Sequence, residues 1–195
     1  SIDGLLPKTY KLTVQKDSYS SWQKTVTVEE GFVTDFPETM LLPEEGEEEQ
    51  ELFNEVGSLF KELEPIPTLK SLPGELFVID TKTNELLQKR DGKFEEIAEN
   101  VKGFRLSENK NKLTWWTPNE LWIMWLNDQN YQPSHRKGDK EIITRFQLSI
   151  QNGTWFHGED HVILELEKLD SRNRPYSIYR IIEIDKRGGV NIVEL

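Results

Sequence analysis

The second half of this chain is written twice. Gly103-Phe104-Arg105-Leu106, a polar turn and Leu113-Thr114-Trp115-Trp116 are echoed by Gly153-Thr154-Trp155-Phe156, a polar turn and Ile163-Leu164-Glu165-Leu166. Each copy continues into a strongly apolar stretch, Leu121-Trp122-Ile123-Met124-Trp125-Leu126 in one and Ile178-Tyr179-Arg180-Ile181-Ile182-Glu183-Ile184-Asp185 in the other. A shorter segment closes each unit, Glu141-Ile142-Ile143-Thr144-Arg145-Phe146 and Asn191-Ile192-Val193-Glu194-Leu195. Short runs of β-branched and aromatic residues bounded by turn residues read as strands. A strand-only unit that recurs after about 50 residues must bury itself against its neighbours, because one small sheet cannot cover its own apolar faces.

The Leu121–Leu126 run sharpens this constraint. Odd and even positions are both apolar, whereas an antiparallel strand with one wet face would alternate. Burying each of these side chains is worth roughly 1.5–3 kcal/mol, so leaving one face in water would cost several kcal/mol. Sheets packed on both sides, as in the blades of a propeller, meet the requirement. Upstream, Leu76-Phe77-Val78-Ile79-Asp80, Glu85-Leu86-Leu87-Gln88-Lys89 and Phe94-Glu95-Glu96-Ile97 are shorter strands joined by Thr81-Lys82-Thr83-Asn84 and Asp91-Gly92. They read as an incomplete blade. An apolar strand ending in Asp and followed by a charged hairpin resembles TolB-like and WD-type propellers in rhythm over residues 75–195, without the His-Asp and Trp-Asp signatures of WD repeats. A closed propeller needs about four to eight blades. The open faces are therefore expected to be covered by sequence outside this chain or by another copy of it.

Residues 1–43 read as a small β domain. Tyr10-Lys11-Leu12-Thr13-Val14-Gln15-Lys16 alternates apolar with polar, Asp17-Ser18 turns, Trp22 to Val28 is a second strand, and Phe32 to Leu42 can supply a third. The order Ile2-Asp3-Gly4, Leu6-Pro7-Lys8-Thr9-Tyr10, Lys16-Asp17-Ser18-Tyr19-Ser20-Ser21-Trp22-Gln23-Lys24 and Met40-Leu41-Leu42-Pro43 resembles the PEGA domain of bacterial and archaeal envelope proteins. The family's first strand is missing, and Ser18 stands where a glycine is usual. The resemblance implies a sandwich-like β domain on an anchored or exported protein.

Between these regions, residues 44–72 read as an acidic linker. Glu44-Glu45-Gly46-Glu47-Glu48-Glu49 is a solvated charge run. Leu52, Phe53, Val56, Leu59, Phe60 and Leu63 then share one face of an amphipathic helix over 51–63, with acidic residues near its positive end and Pro65-Ile66-Pro67 ending it. Residues 73–195 make up the blades. The expected fold is mainly β: a PEGA-like domain, a helical linker and a partial propeller-like array of antiparallel blades.

Charge narrows the partners. Lysine and arginine total 24 against 35 aspartates and glutamates, a net charge of −11. That balance disfavours nucleic acid and anionic membrane surfaces; the PEGA resemblance implies instead a protein or a cell-wall or surface polymer as partner. Cysteine is absent, which removes disulfides, thiol nucleophiles and thiolate metal sites. No apolar run approaches the ~20 residues of a membrane-spanning helix. The chain begins within an apparent strand and ends in mid-strand, so we expect a piece of something longer, with any anchor outside it.

Few residues suggest chemistry. His157-Gly158-Glu159-Asp160-His161 holds metal-ligating types, with His157, Glu159 and His161 as candidates for a metal-dependent hydrolase. Its counterpart in the first copy is the plain polar hairpin Ser107-Glu108-Asn109-Lys110-Asn111, so a structural turn is the simpler expectation, and no cofactor is expected. Trp115, Trp116, Trp122, Trp125 and Trp155 crowd the repeats. They are natural filler between sheets, but an indole face left open could stack on a sugar. Adjacent Trp115 and Trp116 must point to opposite faces, so one of them, or Trp155, is the candidate for exposure. Asn152-Gly153-Thr154 matches a glycosylation sequon but reads first as a hairpin turn. Lys186-Arg187-Gly188-Gly189 is a basic turn that reads first as a solvated hairpin and second as a site able to meet a carboxylate or phosphate. The expected role is a non-catalytic, extracytoplasmic scaffold whose blades present an interaction surface. A carbohydrate-binding module and a metal hydrolase are the alternatives.

Overall fold

The computed structural model describes residues 2, 4–31, 33–34, 36, 39–44, 46–70 and 76–195. Among them the elements run β1 (Lys8–Val14), β2 (Trp22–Val28), α1 (Glu47–Glu62), β3 (Phe77–Asp80), β4 (Glu85–Arg90), β5 (Lys93–Ala98), β6 (Gly103–Leu106), β7 (Lys112–Trp116), β8 (Glu120–Trp125), β9 (Lys140–Arg145), β10 (Ser149–Trp155), β11 (His161–Leu169), β12 (Pro175–Glu183) and β13 (Ile192–Glu194). The chain is mainly β, with four antiparallel sheets: the N-terminal hairpin β1-β2, a first sheet β3-β4-β5, a second sheet β6-β7-β8-β9 and a third sheet β10-β11-β12-β13. The second and third sheets are four-stranded meanders with the same order.

The second sheet is buried on both faces, and alternation along its strands distributes the side chains. Trp116, Leu121, Ile123 and Trp125 join Ile150, Val162, Leu164, Leu166 and Ile182 of the third sheet in one cluster. Leu113, Trp115 and Met124 point the other way and meet Phe77, Ile79 and Leu86 of the first sheet. Trp115 stacks on Trp122 at 5.7 Å and 9°, a pairing worth about 0.5–1.5 kcal/mol beyond the area it buries. The chain before β3 extends the first sheet: Ile79 donates to the Pro67 carbonyl at 3.0 Å, and Leu69 donates to the Ile79 carbonyl at 3.2 Å.

The far face of the third sheet corrects the expectation that only a companion outside the chain could cover it. Val56 of α1 is fully buried among Leu42, Phe156, Ile163 and Ile181. Phe53 and Phe60 flank Tyr179 of β12, at 5.5 and 5.3 Å between ring centroids. The amphipathic helix expected to dock on one of the domains packs on the third sheet through Phe53, Val56 and Phe60. It also starts earlier than its apolar periodicity predicts, because Glu47, Glu48 and Glu49 form its first turn, where carboxylates are favoured by the helix dipole.

The N-terminal hairpin docks on the same sheet through β2. Trp22, Lys24 and Val26 share one face and are buried. Asn191 donates to the Gln23 carbonyl at 3.4 Å, and Gly188 lies so close that a Cβ there would collide with the Thr25 backbone. Of the third strand expected over 32–42, positions 32, 35, 37 and 38 lie outside the described residues, and the described positions carry no strand. Tyr19 and Pro43 form an isolated bridge that ties the hairpin to the approach to α1.

Asn152-Gly153 is not a hairpin turn. It lies inside β10 beside a register shift between Ile150 and Asn152. A Cβ at Gly153 would stand 2.7 Å from Leu164 and 3.2 Å from Trp116. The glycine is there to admit a tryptophan from the neighbouring sheet.

Candidate functional site

In an antiparallel meander alternate loops gather at one end. The β6–β7 and β8–β9 loops of the second sheet thus lie beside the β10–β11 and β12–β13 loops of the third. Between them sits a cleft of ≈ 270 Å³ lined by Trp125, Tyr131, Gln132, His135, Phe36 and the charged residues described next. The long β8–β9 loop, residues 126–139, forms one wall; residues 184–187 after β12 form the other. Phe36, from the N-terminal region, closes a side.

Charges in this cleft are matched within the fold. Lys112 Nζ lies 3.0 Å from Asp160 and 3.7 Å from the Glu159 carboxylate, and donates to the Glu159 carbonyl at 3.1 Å. Lys186 Nζ meets Glu141 at 2.9 Å and the Ile142 carbonyl at 2.8 Å. Arg187 pairs with Asp185 at 2.6 Å while its guanidinium lies 4.1 Å from the centre of the Phe36 ring. Glu183 accepts from Trp22 Nε1 at 3.1 Å and Asn191 Nδ2 at 2.7 Å, and pairs with Lys24 at 3.1 Å. Burial pushes the Glu183 carboxyl above the usual range and Asp185 adds to this; Lys24 and Asn191 pull it back.

The wall at 126–139 carries the aromatic face. His135 stacks on Trp125 with ring centroids 3.5 Å apart and planes 11° from parallel. Trp125 Nε1 donates to Gln129 Oε1 at 3.2 Å, and Gln129 Nε2 donates to the Pro133 carbonyl at 2.6 Å, which holds the loop against the indole. Burial lowers the His135 pKa, with Lys112 adding to the effect against Glu141, Asp139 and Asp185. Tyr131 is raised, first by burial and then by Asp160 and Glu159 across the cleft. Thr34 Oγ1 donates to Gln132 Oε1 at 3.4 Å, tying the N-terminal region to this wall.

The residues singled out from sequence divide. Lys186 and Arg187 do line the cleft, as one half of ion pairs. Trp115 and Trp116 are 2% and 0% exposed, which corrects the idea that one of them is open, because the second sheet has a neighbour on each side. Trp155 is half-buried and donates from Nε1 to the Arg105 carbonyl at 3.2 Å. The metal candidates do not converge. His157 is exposed and faces Glu55 of α1 at 3.8 Å, His161 is buried at the start of β11, and Glu159 faces Lys112. Among the described residues no group of three or more such side chains could hold a metal ion. Phe36, Tyr131, Gln132 and His135 went unnoticed from sequence. The available signal was loop length, since a structureless connection this long inside a compact sheet array is uncommon and often functional.

No family model, curated protein or solved structure matches this chain.

Proposed function

We propose that this chain is a non-catalytic, envelope-associated binding scaffold, with the cleft between the second and third sheets as its contact surface. The observation that carries the reading is the pairing of Lys112, Lys186 and Arg187 with Asp160, Glu141 and Asp185. Side chains tied to one another in this way hold the cleft walls in a fixed shape, as a largely pre-formed contact surface requires. A concave site at the meeting of separate structural units is also where ligands commonly bind. Extracytoplasmic placement rests on the PEGA resemblance of residues 2–43. Among the described residues no helix is long and apolar enough to cross a membrane.

Co-sedimentation of the purified chain with isolated bacterial envelope material tests this reading. Saturable pelleting that weakens when Tyr131 and Gln132 are both replaced by alanine is the expected result. A chain left wholly in the supernatant, with its fold intact by circular dichroism, contradicts it.

A further inference from the structure

We infer that the cleft between the second and third sheets takes a neutral sugar ring. The inference rests on the binding-scaffold reading and adds the class of ligand.

Charge comes first. Each cation lining the cleft is held by a carboxylate: Lys112 by Asp160, Lys186 by Glu141 and Arg187 by Asp185, while Glu183 is held by Lys24 from the docked hairpin. An anionic ligand would have to take a cation from its carboxylate and strand that carboxylate. An uncharged ligand leaves every pair standing and can use the carboxylate oxygens that the cations leave open. The ligand inferred is polar and neutral.

Shape comes second. The His135 ring, backed by Trp125 at 3.5 Å, offers a flat face, and Phe36 and Tyr131 bound the same space. A pyranose has an apolar C–H face that packs on such rings and a rim of hydroxyls. At ≈ 270 Å³ the cleft suits a ring or two and not the length of a polymer. The occupant is a free sugar or the terminal or branch residue of a surface polysaccharide.

Hydrogen bonding comes third. Among the described residues the Tyr131 hydroxyl, the Gln132 amide nitrogen and the His135 imidazole make no side-chain hydrogen bond, while Gln129 beside them is used by Trp125 and Pro133. Tyr131 and Gln132 supply donors, and the second oxygens of Glu141 and Asp160 can accept from vicinal hydroxyls. This is the mixture a few convergent polar groups on an aromatic floor provide in a ligand site.

Saturation-transfer NMR on the full chain tests the inference. The neutral probes are the methyl glycosides of glucose, galactose and N-acetylglucosamine; glucuronate and glucosamine serve as charged counterparts. At least one neutral probe is expected to receive saturation at millimolar concentration, and its charged relatives less. Tyr131→Phe keeps the ring and removes the hydroxyl. Tyr131→Phe and Gln132→Ala should each weaken binding roughly tenfold. The thermal midpoint of Tyr131→Phe is expected to stay unchanged because that side chain is exposed, while Gln132→Ala also loses the hydrogen bond from Thr34, so Tyr131→Phe is the variant that isolates binding. Transfer to no neutral probe overturns the inference. So does transfer that both variants leave intact, or a preference for the charged sugars. Isolated polysaccharide carrying the bound sugar separates the sources: competition with the glycoside indicates a polymer end, and its absence indicates a free sugar. If envelope pelleting persists while no sugar binds, the ligand class falls and the scaffold reading stands. If sugars bind but nothing pellets, the scaffold reading falls.

Discussion

Lys24 and Glu183 meet 3.1 Å apart, with side chains 0% and 5% exposed, and join the N-terminal hairpin to the third sheet. Lys24 also donates to the Asp185 and Gly189 carbonyls. Glu183 also lines the cleft, so the hairpin's docking and the shape of the cleft depend on each other.

Removing one partner of a buried ion pair strands a charge, at a cost of about 3–5 kcal/mol, while removing both is far milder. Lys24→Met is therefore expected to destabilise more than Lys24→Met combined with Glu183→Gln, whose amide oxygen still accepts from Trp22 and Asn191. Urea unfolding of the two variants measures the difference. Equal stabilities would show that the pair contributes nothing to docking.

That contact also marks where sequence reading stops. In Trp22-Gln23-Lys24-Thr25-Val26 the alternation places Lys24 on the buried face, but nothing local names Glu183 as its partner. Strands of the second sheet were legible to within a residue or two because their apolar runs are continuous, and the two-faced Leu121–Leu126 run already implied neighbours on both sides. Asn152-Gly153 misled because a glycine needed for Trp116 carries the same letters as a turn. The cleft was illegible, since Phe36, Lys112, His135 and Asp185 converge only once the sheets stack.

Trp116 fills the space that Gly153 leaves open. Trp116→Ala should cost about 3–5 kcal/mol through the cavity it creates, and Gly153→Ala about 1–3 kcal/mol through overpacking against Leu164. Thermal unfolding of both variants checks the order. A neutral Gly153→Ala would contradict the close approach of the two sheets.

His135 should make stability fall in mild acid. Burial holds its imidazole below the ordinary value of 6.5. A histidine kept neutral by the fold adds stability that is fully present above its ordinary value and is lost as pH falls through 6.5 toward the lower folded value. Urea midpoints measured from about pH 7.5 to 5 should decline more steeply in the native chain than in His135→Phe, which keeps a ring on Trp125. Parallel profiles would remove His135 as the cause.

Val56→Ala should loosen α1 from the third sheet by about 2 kcal/mol. Amide exchange of β11 and β12 near Ile163 and Ile181 is expected to quicken, while β7 and β8, away from the helix, stay protected. Uniform acceleration would mean that α1 and all three sheets unfold as one unit.

Amide-exchange footprinting of the chain with and without isolated envelope material tests the central claim most directly. Protection concentrated in residues 126–139 and 184–191 is the predicted result. Protection on the exposed face of β5 instead, or none anywhere at saturating envelope material, would contradict the assignment of the cleft as the binding surface.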